Sequence, residues 1–95
     1  MTWLRRLIWD PGNVHHIARH EVLPAEVEEV CGGNVIAEQG YADRLRLVGP
    51  TLAGRMLAVV LAPEPQGGDY YVITARPASR KERRMYQERK QEEAR

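Results

Sequence analysis

The spacing of apolar residues changes along this chain, and the change restricts the fold to a mixed helix and strand class. Residues 11–31 carry apolar side chains at helical intervals. Residues 35–74 instead hold short alternating or wholly apolar runs separated by Gly and Pro, which is typical of strands joined by hairpins. A basic segment with a narrow apolar stripe follows residue 79. We therefore predict an α+β fold with the element order β-α-α-β-β-β-β-α, whose sheet is an antiparallel meander.

The N-terminal third predicts one short strand and two helices. Leu4 to Trp9 is the strand, and Asp10 followed by Pro11 has the residue types of a helix start. A second helix is predicted over residues 24–31, and Gly32 ends it. We expect these two helices to cover one face of the sheet. The apolar stripe predicted for the first helix consists of Val14, Ile17 and Ala18.

The remaining strands and the last helix follow from local patterns. Arg44 to Val48 alternates, so that its two leucines face inward while Arg44 and Arg46 share the other face. Met56 to Ala62 is apolar throughout, as in a central strand. Ser79 and Glu82 have capping-box spacing at the start of the C-terminal helix. We expect that helix to lie beside the sheet, with residues from about 88 to 95 frayed in the absence of a partner.

Length and composition indicate one small intracellular unit. The chain has 95 residues, and we predict one domain over residues 1–95. Cys31 is the only cysteine, which excludes an internal disulfide and favours a reducing cytoplasm. No apolar run reaches the length of about 18 residues that a membrane helix needs. We predict a cytoplasmic protein with no membrane contact.

Charge is unevenly distributed along the chain. Net charge is only +1, but residues 76–95 hold eight basic and four acidic side chains, whereas residues 21–75 hold three basic and eight acidic ones. A basic C-terminal segment on a nearly neutral chain indicates a surface that faces a polyanion or a protein partner. On composition alone, a surface of intramolecular salt bridges is an equally good interpretation.

The arginines suggest a chemistry that needs no metal. Arg76 ends a predicted strand just before a helix N-terminus, where its guanidinium and backbone N–H groups can converge on an anion. Fixed cations can stabilise the charge that develops on a phosphate, and the 2′-hydroxyl of RNA can serve as the nucleophile. This combination describes a metal-free ribonuclease. His16 and His20 have the i, i+4 spacing of a zinc pair, but they lack a third ligand, so we predict no metal and no cofactor.

Several motifs, taken in order, resemble the BrnT toxins of bacterial type II toxin–antitoxin pairs. The resemblance covers about residues 7–90 and is most specific at residues 75–83, Ala-Arg-Pro-Ala-Ser-Arg-Lys-Glu-Arg. The family commonly has glycine where this chain has Glu21. The other matching elements are Trp9-Asp10, Asn13, Arg19-His20 with Val22, residues 26–30, residues 44–49, residues 54–60, Ile73-Thr74 and Tyr86.

The resemblance implies a RelE-like fold and an endoribonuclease that inhibits translation. It also implies a ribbon-helix-helix antitoxin, which would itself contact the operon DNA. By this resemblance Arg44 and Arg76 bind phosphate, while Glu82 and Tyr86 face the site from the last helix. His20 is the candidate general acid or base, because imidazole titrates near working pH. As residues that bind nucleic acid we predict Arg46, Arg55, Arg80, Arg83 and Arg84.

The residues leave other interpretations open. Glu82 is equally well explained as the capping partner of Ser79, and Tyr86 as a residue that docks the helix on the sheet. The whole protein can also be an inactive module that holds RNA or a protein on the same basic face, or a structural subunit that only recruits an antitoxin-like protein. The sequence leaves the RNA target open, and likewise whether copies of the chain associate.

Overall fold

The fold is a five-stranded mixed sheet with helices on both faces. The computed structural model describes residues 6–65 and 67–94, so Leu4 and Arg5 of the first predicted strand lie outside the described residues. The helices and strands follow the predicted order. They are β1 (Arg6–Ile8), α1 (Pro11–Ala18), α2 (Pro24–Cys31), β2 (Ile36–Gln39), β3 (Leu45–Pro50), β4 (Met56–Pro63), β5 (Asp69–Pro77) and α3 (Arg80–Glu93).

The predicted meander forms four of the five strands. The sheet order is β1-β5-β4-β3-β2, and β2 to β5 pair antiparallel with their sequence neighbours. β1 adds to the outer edge of β5 in parallel, with Leu7 opposite Tyr70. The α+β class is confirmed. The parallel pairing of β1 with β5 was not predicted, because the sequence pattern indicated only antiparallel hairpins.

The two faces of the sheet differ in what covers them. The larger core packs α1 and α2 against inward side chains such as Leu47, Val59 and Val72, all fully buried. On the opposite face α3 covers a smaller cluster formed by Ile36, Val48, Ala58 and Ala78. The two N-terminal helices share the first face, as predicted, whereas the last helix, which was predicted to lie beside the sheet, packs on the second face.

α1 is capped as predicted but presents a different face to the core. The Asp10 carboxylate accepts a hydrogen bond from the backbone N–H of Asn13, and the side-chain oxygen of Asn13 accepts one from the backbone N–H of Asp10. Ile17 is fully buried, but Val14 is 37% exposed and Ala18 is also exposed, so the predicted stripe is wrong at these two positions. Asn13 is buried instead of these two residues, because its side-chain NH₂ group donates to the backbone carbonyls of Ile8 and Val72, at 3.0 and 3.1 Å.

The turn after α1 keeps a left-handed residue although glycine is absent. The Val22 amide donates to the Ile17 carbonyl and the Glu21 amide to the Ala18 carbonyl, which is the hydrogen-bond pattern of a Schellman motif. Glu21 occupies the left-handed position with φ of 60°. The substitution of glutamate for glycine in the family pattern therefore leaves the turn in place, at a cost in backbone strain.

Candidate active site

The sheet register leaves one strip of the second face open beside α3. Arg46, Val60 and Thr74 lie in line across β3, β4 and β5, and Arg76 lies two residues beyond Thr74 on the same side. Arg46 is exposed, and the other three are only partly covered. We call these four residues the open face. The arrangement follows from strand alternation, since positions two apart point to the same side of a sheet.

Arg76 is held in place by the first turn of α3. Its Nη1 and Nη2 atoms donate to the two carboxylate oxygens of Glu82 at 2.7 and 2.8 Å, and Nη1 also donates to the Pro77 carbonyl at 3.2 Å. These three bonds leave the Nε–H and one N–H of Nη2, which lie along one edge of the guanidinium. That free edge can bind two oxygens of a phosphate while Glu82 holds the opposite edge of the guanidinium in place.

Glu82 itself is buried and strongly ionised. Its side chain also accepts a hydrogen bond from the Ser79 amide at 2.8 Å, which confirms the predicted capping box. Hydrogen bonding to Arg76, assisted by the Ser79 amide, lowers the pKa of Glu82 from 4.5 to about 2, although burial opposes that shift. The same pair raises the pKa of Arg76. The carboxylate is therefore placed to orient Arg76, in addition to capping the helix.

A histidine reaches the same edge of the sheet from α1. The Nε2 atom of His16 lies 3.1 Å from the Thr74 hydroxyl, and the imidazole is exposed. The Asn13 bonds to β1 and β5 fix this helix against the sheet, and with it the position of His16. Thr74 and Arg76 are neighbours on one side of β5, with Cα atoms about 7 Å apart. We call His16, Thr74 and Arg76 the β5 site.

The structure places His20 and Tyr86 differently from His16. His20 is exposed beyond the end of α1, and its ring meets that of His16 edge-on at a centroid distance of 5.7 Å. The hydroxyl of Tyr86 donates to the Asn34 carbonyl at 2.6 Å, and the ring packs on the small cluster under α3. These contacts agree with the alternative interpretation of Tyr86 as a docking residue.

The structure places Arg44 and Arg76 well apart on the sheet. Arg44 immediately precedes β3, so strand spacings put its Cα about 16 Å from that of Arg76, and Glu82 directs Arg76 towards α3. Among residues 6–65 and 67–94, the side chain of Arg44 has no hydrogen-bond or ion-pair partner. Arg46 lies nearer to the β5 site but pairs with Glu38 at 2.6 Å, and Glu38 also accepts from Arg89 at 2.9 Å.

The other predicted RNA-binding arginines fall into two groups. Arg55 lies on the α2 side of the sheet, where it pairs with Glu26 at 3.0 Å and donates to the Glu21 carbonyl at 2.7 Å. It joins the α1–α2 turn to β4 rather than the open face. The three on α3 are exposed, namely Arg80, Arg83 and Arg84, and Arg83 also donates to the Ala78 carbonyl at 3.0 Å.

Sequence reasoning missed His16 and Thr74 as a pair. They lie 58 positions apart, His16 falls outside the helix's core stripe, and threonine is a common strand residue. Only the packing of α1 along β5 reveals the contact. In the described part of the chain, no group of three or more side chains is arranged to hold a metal ion, and no helix is long and apolar enough to cross a membrane.

The position of the Cys31 thiol is explained by packing. It is buried at the end of α2, and burial raises its pKa to about 12. A thiol in that state is a poor nucleophile. This cysteine therefore belongs to the core.

Comparison with known proteins identifies a structural relative. The crystal structure of the ribonuclease toxin BrnT of Brucella abortus superposes with a TM-score of 0.63 and 28% sequence identity, covering 79% of this chain and 97% of that one. No protein-family model and no curated protein sequence matches the chain. The resemblance to BrnT and the fold class, both predicted from the sequence, are confirmed by this similarity.

Proposed function

We propose that this BrnT-like chain is an endoribonuclease toxin that cleaves RNA without a metal ion and thereby inhibits translation. The observation that carries the proposal is the similarity in fold and sequence to a ribonuclease toxin over nearly the whole length of that protein. The β5 site supports it with suitable chemistry. The exposed imidazole of His16 contacts Thr74, and Arg76, whose guanidinium keeps one free edge, follows two residues later on the strip that α3 leaves open.

The reaction we propose is an internal transfer at phosphorus. The substrate's 2′-hydroxyl attacks the adjacent phosphorus, the bond to the 5′-oxygen of the next nucleotide breaks, and the products end in a 2′,3′-cyclic phosphate and a 5′-hydroxyl. The free edge of Arg76 binds the non-bridging oxygens, where negative charge increases in the transition state. His16 takes the proton of the 2′-hydroxyl, because imidazole can exchange protons near neutral pH, and the departing 5′-oxygen takes a proton from a water molecule of the solvent.

Orientation of Arg76 by Glu82 is central to this mechanism. A cation that already points at the phosphate needs little rearrangement as charge develops, and loss of one such fixed donor typically costs about 2.7–4 kcal/mol of transition-state stabilisation. Thr74 positions His16 through their 3.1 Å contact. Arg46 is available as a second cation, since exposed ion pairs such as Arg46–Glu38 contribute only about 0–1 kcal/mol and open readily.

The test compares the two histidines of α1 as matched variants. We expect the purified protein to cut single-stranded RNA in excess EDTA and to leave 2′,3′-cyclic phosphate ends. His16→Ala should reduce cleavage by roughly 10²–10⁴-fold, as expected for the loss of a general acid or base. His20→Ala, one turn further along, should retain most of the activity, and circular dichroism should show both variants folded.

Each alternative outcome contradicts a definite part of the proposal. Loss of cleavage in His20→Ala but not in His16→Ala would return the proton transfer to His20, as the sequence alone suggested. Activity that stops in EDTA and returns with Mg²⁺ would contradict metal independence. If the unmutated protein binds RNA but never cuts it, the chain is a binding module, which the exposed cations of α3 would suit: Arg80, Lys81 and Arg84.

We also propose an antitoxin partner of the ribbon-helix-helix type, which would carry the DNA contact. The similar structure is that of a toxin, which supports an antitoxin partner, and the ribbon-helix-helix type is what the sequence resemblance implies. Its gene is expected next to that of this chain. Co-expression of the neighbouring small reading frame should relieve growth arrest and yield a co-purifying complex. Growth arrest that this reading frame does not relieve would contradict the pairing.

A further inference from the structure

A cleft lies at the Arg46 end of the open face, and the first turn of α3 lies at the other end, beside Arg76. It encloses about 310 Å³, a volume at the lower end of the range for small-molecule sites. Two of its lining residues, Arg46 and Val60, also belong to the open face, so the cleft and the strip are continuous. The other lining residues are Glu38, Gln39, Gly40, Tyr41 and Arg44. We call this cavity the Tyr41 cleft.

A strained turn holds an aromatic ring at the rim of the cleft. Ala42 and Asp43 both have left-handed backbones, with φ of 57° and 62°, although neither is glycine. The turn is closed by hydrogen bonds from the Gly40 amide to the Arg44 carbonyl and from the Arg44 amide to the Tyr41 carbonyl. Tyr41 is 89% exposed. Such strain costs about 1–3 kcal/mol per residue, and here it supports a side chain that contributes nothing to the core.

Charge at the cleft suits an anion next to the ring. Arg44 lines the cleft, and its guanidinium has no hydrogen-bond or ion-pair partner within residues 6–65 and 67–94. The carboxylate of Glu38 is neutralised by Arg46 and Arg89. An exposed aromatic face beside an unpaired guanidinium is the combination with which proteins bind single-stranded nucleic acid. Stacking on the ring binds a base, and the cation binds its phosphate.

We propose that the Tyr41 cleft is a nucleobase subsite for single-stranded RNA. One base of the substrate stacks on Tyr41 while Arg44 binds the phosphate beside it. This inference rests on the proposed ribonuclease function and defines its substrate as an unpaired RNA segment, because a base within a duplex cannot reach the ring. The cleft thus adds a site of binding to a site of reaction.

Distance along the sheet sets the place of that base in the RNA. Strand spacings put the Cα of Arg44 about 12 Å from that of Thr74 in the β5 site. A stacked nucleotide step advances by only about 3.4 Å. The base on Tyr41 is therefore separated from the cleaved bond by at least one nucleotide, and the strand runs across Val60 and Arg46 between the two positions.

The experiment measures binding with an RNA that cannot react. The probe is a fluorescent single-stranded oligonucleotide with 2′-O-methyl groups, which lacks the attacking hydroxyl, and the readout is anisotropy. Tyr41→Ala should weaken affinity about fivefold to a hundredfold, as loss of one stacked base does. Tyr41→Phe should bind like the unmutated protein, and Arg44→Ala should lower both the affinity and its salt dependence.

Controls separate this subsite from general adhesion and from the proposed function. Leu52 is 87% exposed in the β3–β4 turn, at the other end of β3, and Leu52→Ala should leave affinity unchanged. Unchanged affinity in Tyr41→Ala, or equal binding of a double-stranded probe, would overturn the subsite. If the unmutated protein still cut RNA, the proposed function would stand without it. If the unmutated protein neither bound the probe nor cut RNA, both the subsite and the proposed function would be wrong.

Discussion

The two ends of the open face carry the same kind of cation in opposite physical states. At the β5 site, Arg76 is fastened through two hydrogen bonds to Glu82, which is only 8% exposed. At the Tyr41 cleft, Arg44 is exposed, and its guanidinium has no partner in the part of the chain that the structure describes. The comparison indicates that arginine's role here is set by its partner: a buried carboxylate fixes its direction, whereas solvent leaves it free to follow a ligand.

This difference assigns different energetic roles to the two ends. A fixed guanidinium lowers the free energy of a transition state because it does not reorganise when charge develops. A mobile one must lose side-chain entropy on binding, up to about 2 kcal/mol, so it stabilises bound substrate and transition state alike. We therefore expect reaction at the β5 site and substrate holding at the cleft.

The largest expected effect comes from substituting the two arginines in parallel. Arg76→Ala should lower kcat for RNA cleavage by about 10²–10³-fold, because it removes a donor that acts on the developing charge. Arg44→Ala should raise KM about tenfold and leave kcat nearly unchanged, because it removes uniform binding. Steady-state kinetics on a short RNA, with thermal unfolding as a check of the fold, measure both.

Equal kinetic effects would break the comparison. If Arg44→Ala also lowered kcat by two orders of magnitude, both cations would act on the same phosphate, as the sequence-based hypothesis had it. The substrate or a movement of the β2–β3 loop would then have to close the distance of about 16 Å that the strand register gives.

Part of this arrangement was readable from the sequence. The capping residues predicted the starts of α1 and α3, and strand alternation put Arg44 and Arg46 on one face, because both rules depend only on near neighbours. The distance from Arg76 to Arg44 or Arg46 could not be predicted in this way, because it depends on the register of β3, β4 and β5. The approach of His16 to Thr74, and the burial of Asn13 instead of Val14, depend on how α1 lies along β5, which no local pattern encodes.

A smaller effect is expected from weakening the carboxylate that fixes Arg76. Glu82→Gln keeps an acceptor for the Ser79 amide but removes the charge, so cleavage should fall about tenfold while the helix start survives. Stability should change with a definite pH dependence. Because folding lowers the pKa of Glu82 from 4.5 to about 2, its ionised form stabilises the fold well above pH 4.5, and this contribution is lost as the pH falls towards 2.

Urea unfolding of both proteins at several pH values measures that dependence. At pH 7 the unmutated protein should be more stable by about 1–3 kcal/mol, the range for a buried hydrogen bond to a charged group. The difference should shrink steadily below pH 4.5. Glu38→Gln is the matched control, since its exposed pair should give a smaller loss. A stability difference that stayed constant down to pH 2 would show that Glu82 acts only as a cap.

The smallest effect is expected at Tyr86, and it tests how far the β5 site extends along α3. Tyr86→Phe keeps the ring packed on Ile36 and Val48 but removes the hydroxyl that donates to the Asn34 carbonyl at 2.6 Å. Unfolding free energy should drop by about 1 kcal/mol, the net value of one hydrogen bond, and kcat should stay within twofold. A large loss of kcat at unchanged stability would instead mean that this hydroxyl leaves Asn34 to exchange a proton with the RNA. The reacting phosphate would then lie over the middle of α3. The reaction site would include residues of that helix as well as β5, and the contrast with a separate holding site would no longer rest on Arg76 alone.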